Sequence, residues 1–326
     1  MKSKNSNLRR LQICMFFINA FLIFILVIFK HSTNKRISSY EREKHHVLNL
    51  AESIRKDRKN FISSRFQKRQ KHYENTCKRL GLKKKFRPKN VFLTALDNQA
   101  VGCFPQKSAS SSWFGVFRTL RNFTPDASDP DIWTQTTKMS KFTSEQELQT
   151  IFLPETIKII TVRDPLSRLY SGWQEHMRLV NGSPIGQQWR LLGLTEKDYD
   201  LKTQHSCSWK DFVHKMVDAM EDKKLINGHH EPLSKRCPVC SISYNYIAKV
   251  ETMLDDSSFI LHDLMKTDLT LGLQNSRVIS NKNMSCEKYL EHYCQFSDTE
   301  IQKLENYYRL DYALFAYKKF SRKKCC

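Results

Sequence analysis

"TIKIITVRDPLSRLYSGW", residues 156–173, carries the reading of the fold. Its first seven residues are rich in β-branched side chains and bounded by a polar break, which predicts a short buried strand. Arg163, Asp164 and Pro165 make the break. Pro165 suits a first helical turn, where its missing N–H costs nothing, and Asp164 suits the N-cap before it. Leu166, Leu169, Tyr170 and Trp173 then recur at helical spacing. A strand that passes through a tight polar turn into a helix is the building unit of α/β proteins.

The same unit stands upstream in "AVGCFPQKSASSSWFGVF", residues 100–117: a strand, a serine-crowded turn holding Lys107, and a helix expected over Ser112–Leu120. "YNYIAKVE" (244–251) and "SSFILHDL" (257–264) read as further short strands, and the α/β pattern begins near residue 90, where the basic run gives way to "VFLTAL" (91–96). "TEIQKLENYYRLDYALFAY" (299–317) reads as a terminal helix running into an aromatic tail. Strands alternating with helices predict a parallel sheet covered on both faces.

The chain has 326 residues, 40% of them hydrophobic, enough for a sizeable core. Its formal charge of +21 calls for an acidic partner: a polyanionic saccharide, a membrane surface or nucleic acid. Roughly twenty of the Lys and Arg residues fall within 30–90, against about five acids, so much of the excess lies outside the expected core. Leu11–Phe29 is apolar apart from Gln12 and Asn19, long enough to span a bilayer, and no small-residue cleavage site follows it. Nine of the ten cysteines follow that span, and N-x-S/T sequons occur at Asn122, Asn181 and Asn283. Both features suit an oxidising lumen. The expected organisation is therefore type II: a cytosolic tail (1–10), a transmembrane signal anchor (11–29), a basic stem (30–89) and a luminal domain (90–326).

Open parallel sheets bind ligands beyond the carboxyl ends of their strands, where helix N-termini present unpaired N–H groups. Two such corners are expected here. One holds Lys107, Ser110, Ser111, Ser112 and Trp113; the other runs from Arg163 to Ser171. Arg grips a phosphate bidentately and Lys acts as a mobile point charge, so the pair suits a nucleotide with an anionic group at each end. Neither G-x-G-x-x-G nor G-x-x-x-x-G-K-[ST] occurs, which argues against a dinucleotide fold and a Walker A loop.

The two corners resemble the nucleotide signatures of the Golgi carbohydrate sulfotransferases, above all the chondroitin/dermatan 4-O-sulfotransferase group. "RDPLSRLYSGW" matches that family's R-D-P-x-x-R-L-x-S-x-[FYW] at every defined position. "QKSASSSW" matches P-K-x-G-x-T-x-W at Lys107, Ser111 and Trp113, and departs at Gln106 and Ala109, where the family has Pro and Gly. "HHEPLSKRCPVC", "YNYIAKVETMLDDSSFIL" and "YYRLDYALFAY" resemble further family segments in the right order, so the likeness spans about 90–317. It implies a P-loop-like three-layer sandwich and a Golgi enzyme that uses 3′-phosphoadenosine 5′-phosphosulfate (PAPS) as co-substrate. The acceptor it implies is a glycosaminoglycan or glycoprotein glycan, with the 4-hydroxyl of N-acetylgalactosamine in a chondroitin- or dermatan-like chain favoured. Lys107 and the serines then meet the 5′-phosphosulfate, and Arg163 with Ser171 the 3′-phosphate.

Sulfuryl transfer also needs a base for the sugar hydroxyl, and a near-neutral histidine is the economical choice. His229 aligns with the family's histidine, with His230 and His176 as competitors. No metal is expected: "CPVC" (237–240) lacks a second paired C-x-x-C, and disulfides of unread connectivity are the better reading. Arg118, Arg121 and Lys158 are candidate acceptor-groove cations. The competing readings are a sulfotransferase acting on a different glycan, a membrane-tethered polyanion binder that has lost catalysis, to which the changes at Gln106 and Ala109 give weight, and a nucleic-acid binder, which glycosylation at Asn283 in a lumen would remove. Oligomeric state is not readable.

Overall fold

The computed structural model describes residues 43–82, 86, 91–124, 132–139, 145–177, 179–180, 183–184, 205–222, 226, 228–272 and 289–326. The expected anchor at 11–29, the tail before it and the sequons at Asn181 and Asn283 lie outside these residues. Among the described residues no helix is long and apolar enough to cross a membrane. The chain divides into two units, residues 1–61 and 62–326. In the first, residues 43–61 are helical and solvent-exposed.

The second unit is built on a four-stranded sheet of order β1-β2-β3-β6: β1 (Phe92–Ala95), β2 (Ala100–Cys103), β3 (Ile157–Val162) and β6 (Tyr246–Lys249). A separate two-stranded ribbon, β4 (Leu179–Val180) and β5 (Ser183–Pro184), stands apart from it. The sheet is mixed, not wholly parallel as expected. β2, β3 and β6 run parallel, but β1 pairs antiparallel with β2. The reason is the connection: a single 3₁₀ turn, Leu96–Asn98, joins β1 to β2, and a parallel pairing needs a crossover of a dozen or more residues.

Alternate strand residues enter two different cores, so both faces are covered. Leu93, Ala100, Ile159 and Ala248 pack with Trp113, Phe114 and Phe117 of α2 (Ser110–Leu120). Val101, Cys103, Ile160, Val162 and Ile247 pack on the opposite face with Leu233, Leu314 and Phe315. Gly102 is required by close approach: a Cβ there would sit 2.1 Å from the Phe104 ring. Two short helices, α3 (Ile132–Met139) and α4 (Glu145–Thr150), precede β3, and a third core joins α5 (Pro165–His176), α6 (Trp209–Glu221) and α9 (Asp298–Tyr307) through Leu169, Trp173, Phe212, Met216 and Leu304.

α5 begins as its sequence predicts, with Pro165 in the first turn and the Asp164 carboxylate accepting the Ser167 N–H. "SSFILHDL" is not a strand. It completes α8 (Met253–Ser258) and continues as a π-helical turn, Phe259–Leu264, with Phe259, Ile260 and Leu261 buried. A short apolar run has no periodicity that separates a buried strand from a buried helix, and here packing chose the helix. The terminal helix divides at Tyr308 into α9 and α10 (Arg309–Phe315).

Residues 62–79, within the stretch read as stem, form helix α1 of the compact unit. Ile62, Phe66 and Tyr73 are buried, and Arg65 and Arg69 both reach the fully buried Asp256 carboxylate, at 2.5 and 2.6 Å. Cys77 is disulfide-bonded to Cys240, and Cys103 to Cys237. The two cysteines of "CPVC" therefore serve two different disulfides and are not available as a zinc pair. Cys294 pairs with Cys326 within the chain, Cys325 is also disulfide-bonded, and Cys207 is a buried thiol.

Candidate anion-binding site

β2 and β3 are parallel neighbours, so the turns that follow Cys103 and Val162 leave the sheet at the same end of its strands. After β2 the chain makes a tight loop, with the Ser108 N–H donating to Pro105 O. Lys107 and Ala109 both adopt left-handed backbone, at φ 67° and 64°. α2 then starts at Ser110, two residues before the expected Ser112, with Ala109 as an N-cap that offers no capping side chain. Helix geometry leaves the N–H groups of Ser110, Ser111 and Ser112 without an intrahelical acceptor, and the helix dipole adds positive potential there.

Ala109 thus takes the conformation for which a glycine is the usual choice, at a cost of about 1–2 kcal/mol. Ala109→Gly is expected to remove that strain, partly offset by the greater freedom of glycine in the unfolded chain. A net gain of about 1 kcal/mol corresponds to a midpoint rise of about 2–4 °C for a domain of this size, read by thermal unfolding. Gln106, the other departure, contributes its backbone carbonyl to the site, which a proline would supply equally.

Three cations meet at this loop. The Lys107 side chain is only 7% exposed and forms an ion pair with Glu175 of α5. Burial pulls its pKa down, Glu175 opposes that, and the positive charges of Arg163 and Arg168 push it lower again. Arg163, half-buried, donates from Nε to Ser167 Oγ (2.8 Å) and from Nη1 to Lys107 O (3.3 Å). Burial also lowers its pKa, against the Glu251 carboxylate. Arg168, 1% exposed, donates from Nε to Gln106 O (3.0 Å) and from Nη2 to Gly228 O (3.2 Å). One buried guanidinium therefore ties the peptide before Lys107 to the peptide before His229.

α5 spans both anion grips. Ser167, Ser171 and Glu175 lie at i, i+4 and i+8 on one face, about 12 Å from first to last along the axis. The first bonds to Arg163 and the last to Lys107, so half-buried Ser171 lies between the two cations. At the carboxyl end of β6, Lys249 pairs in register with Val162. Its Nζ donates to Phe315 O at 2.6 Å and lies 3.9 Å from the Tyr317 ring centroid, with its pKa pulled down to about 8 chiefly by burial. The Glu251 carboxylate accepts the Asp164 N–H at 3.0 Å and the Tyr317 hydroxyl at 3.1 Å.

The other expected site residues divide. Ser110 is buried at the helix start and Ser111 is exposed, while the Ser112 hydroxyl donates to Gly272 O at 2.6 Å. Trp113 is fully buried and stacks on Phe104 at 5.1 Å, so it supports the loop from beneath instead of facing a ligand. His229 is half-buried. His230 is 2% exposed, packed edge-on against Phe212 and over Gly172, where a Cβ would come within 2.5 Å of its ring. His230 is thus a core residue, which leaves His229 the more accessible of the pair. Lys158, offered for an acceptor groove, begins near the opposite end of β3 from Arg163. Its ammonium donates to Leu153 O, 2.5 Å away. Arg121 is occupied by Thr94 and Met139 O, and Arg118 by Gln135.

Arg168 and Glu175 stand at the candidate site although sequence reasoning did not assign them to it. Arg168 stands in the matched signature, so the motif flagged it without a role. Nothing in the spacing shows that Glu175, 68 positions from Lys107, meets it.

These features define an α/β protein with a two-ended cationic site suited to a nucleotide-type anion. The chain belongs to the sulfotransferase family, whose model matches residues 90–318. Among curated proteins it is similar to carbohydrate sulfotransferase 9 of Homo sapiens, 26% identical over 49% of this chain and 37% of the relative. It is also similar to carbohydrate sulfotransferase 8 of Mus musculus, 25% identical over 50% of this chain and 40% of the relative. Carbohydrate sulfotransferase 14 of Danio rerio is 24% identical over 66% of this chain and 59% of the relative. The matched regions thus span less than two thirds of these relatives. No solved structure matches.

Proposed function

We propose that the protein transfers a sulfuryl group from PAPS to a sugar hydroxyl of a glycosaminoglycan-type glycan, with the 4-hydroxyl of N-acetylgalactosamine in a chondroitin- or dermatan-like chain favoured. The observation that carries the reading is the convergence of Lys107, Arg163 and the open N-terminus of α2 at adjacent strand ends. Desolvated cations and aligned N–H groups suit a ligand with a sulfated phosphate at one end and a second phosphate at the other.

PAPS supplies the activated sulfuryl group. The hydroxyl oxygen of the acceptor forms a new bond to sulfur as the bond from sulfur to the 5′-phosphate oxygen breaks. Lys107 and the first N–H groups of α2, with Ser110 and Ser111, stabilise charge on the departing phosphate. Arg163 and Ser171 hold the 3′-phosphate. His229 takes the hydroxyl proton. Placement in the Golgi membrane, with the anchor at 11–29 and the body luminal, is part of the same proposal. The disulfides support it, since they persist in oxidising compartments.

The test is transfer of labelled sulfate from PAPS to a panel of desulfated glycans. Transfer to chondroitin or dermatan is expected. Lys107→Ala is expected to lower kcat about 10²–10³-fold, the usual loss for one donor at a developing negative charge. Arg163→Ala is expected to weaken PAPS binding about 10- to 100-fold, as for a lost charge-assisted bond. Absence of PAPS binding overturns the reading. PAPS binding without transfer to any glycan leaves a polyanion binder in its place.

A further inference from the structure

We propose that Tyr308 and Asp311, at the junction of α9 and α10, are positioning residues that set the His229 side chain relative to Lys107. This rests on the reading of His229 as the base and gives the C-terminal "YYRLDY" segment a role within the site. His229 lies in a stretch without regular structure, followed by the single helical turn α7 (Leu233–Arg236). Such a segment, left to itself, samples many conformations, and each ordered residue costs about 1–2 kcal/mol of backbone entropy. Here it is held from four directions.

The carbonyls on either side of His229 are both engaged. Gly228 O accepts from Arg168 Nη2, and His230 O accepts from the Tyr308 hydroxyl at 2.6 Å. The first bond holds the peptide plane that enters His229 and the second the plane that leaves His230, so the His229–His230 pair is anchored at both ends, and the packed His230 ring restricts the torsions between them. Next, α7 has no side-chain cap of its own: its N-cap is Pro232. The Asp311 carboxylate supplies one from 78 positions away, accepting the Leu233 N–H at 2.6 Å and the Ser234 N–H at 2.9 Å. Finally, the Cys103–Cys237 disulfide joins the end of this segment to the last residue of β2, four positions before Lys107.

Tyr308 and Asp311 are 0% and 1% exposed, so neither is placed to touch a ligand. Their spacing of three puts both on one side of the α9–α10 junction, facing the His229 segment. Their effect on transfer is therefore exerted through His229, and a misplacement of about 1 Å at a reacting group can cost about 100-fold in rate.

A double-mutant cycle on the full chain tests this. Tyr308→Phe, which removes one hydroxyl, and Asp311→Asn, which keeps the shape, are each made alone and in a His229→Ala background. Single-turnover transfer from PAPS to desulfated dermatan, direct PAPS binding and the thermal midpoint are measured for all. The singles are expected to lower the transfer rate about 10- to 100-fold with PAPS affinity within twofold, and to lower it less than twofold once His229 is gone. Equal losses in both backgrounds, or losses matched by weaker PAPS binding, overturn the positioning role while leaving His229 as base. An unchanged rate in His229→Ala alone overturns the base assignment itself, and the positioning proposal falls with it. Should Asp311→Asn lower the thermal midpoint too far to assay, Tyr308→Phe decides alone.

Discussion

A chain that starts at residue 90 is expected not to fold, while one that starts at Ile62 folds and binds PAPS. Removing α1 exposes the surfaces that bury Ile62, Phe66 and Tyr73, each worth about 1.5–3 kcal/mol. It also leaves Asp256, 0% exposed, as a buried carboxylate stripped of both guanidinium partners, a loss of about 3–5 kcal/mol. The Cys77–Cys240 disulfide goes with it, typically another 2–5 kcal/mol. Such a total is comparable to the entire stability of an ordinary domain, about 5–15 kcal/mol. Secreted chains beginning at Ile62 and at Asn90, compared by yield, circular dichroism and PAPS binding, check this. A well-folded shorter chain would show that α1 is dispensable.

Arg168→Lys is expected to cost more than its conservative character suggests. The guanidinium serves Gln106 O and Gly228 O from fixed, diverging donors, and an ammonium cannot reproduce that fork. Each buried carbonyl left without its donor costs about 1–3 kcal/mol. A fall of about 5–10 °C in the thermal midpoint follows from the usual conversion for a chain of this size. PAPS affinity is expected to fall with it, because the same bond holds the loop that carries Lys107. Thermal unfolding and calorimetric titration with PAPS give both quantities. A variant that melts and binds like the parent would mean that the loop is held by its own left-handed turns and needs no tie.

Much of the fold was legible because local rules and tertiary packing agree there. β3 and α5 emerge from "TIKIITVRDPLSRLYSGW" with the proline, cap and apolar spacing where the rules put them. The rules failed where one local pattern suits two outcomes. "SSFILHDL" is apolar enough for a strand, yet its residues complete a helix against the sheet. The direction of β1 was equally hidden, since strand periodicity carries no sign; the three-residue turn after it decided the pairing.

The candidate site divides in the same way. Lys107, Arg163 and Ser171 were readable from sequence because each stands in a short motif whose spacing follows from a strand–turn–helix corner. That the two corners are adjacent depends on β2 and β3 being neighbours in the sheet, a long-range pairing that no local spacing encodes. Trp113 and His230 matched or flanked motifs as ligand-facing candidates, and packing placed both in the core.

By itself, then, the sequence determined which residue types stand at each corner, where α5 begins, and the charge the corners bring. Only the tertiary structure decided that Arg168 turns inward to join the Lys107 loop to the His229 segment, that Glu175 pairs with Lys107, and that α1 belongs to the body. The physical reason is common to all three. Each depends on a desolvated charge finding its partner between 60 and 190 residues away, and burial, which makes such a partner necessary, arises only when the chain has folded.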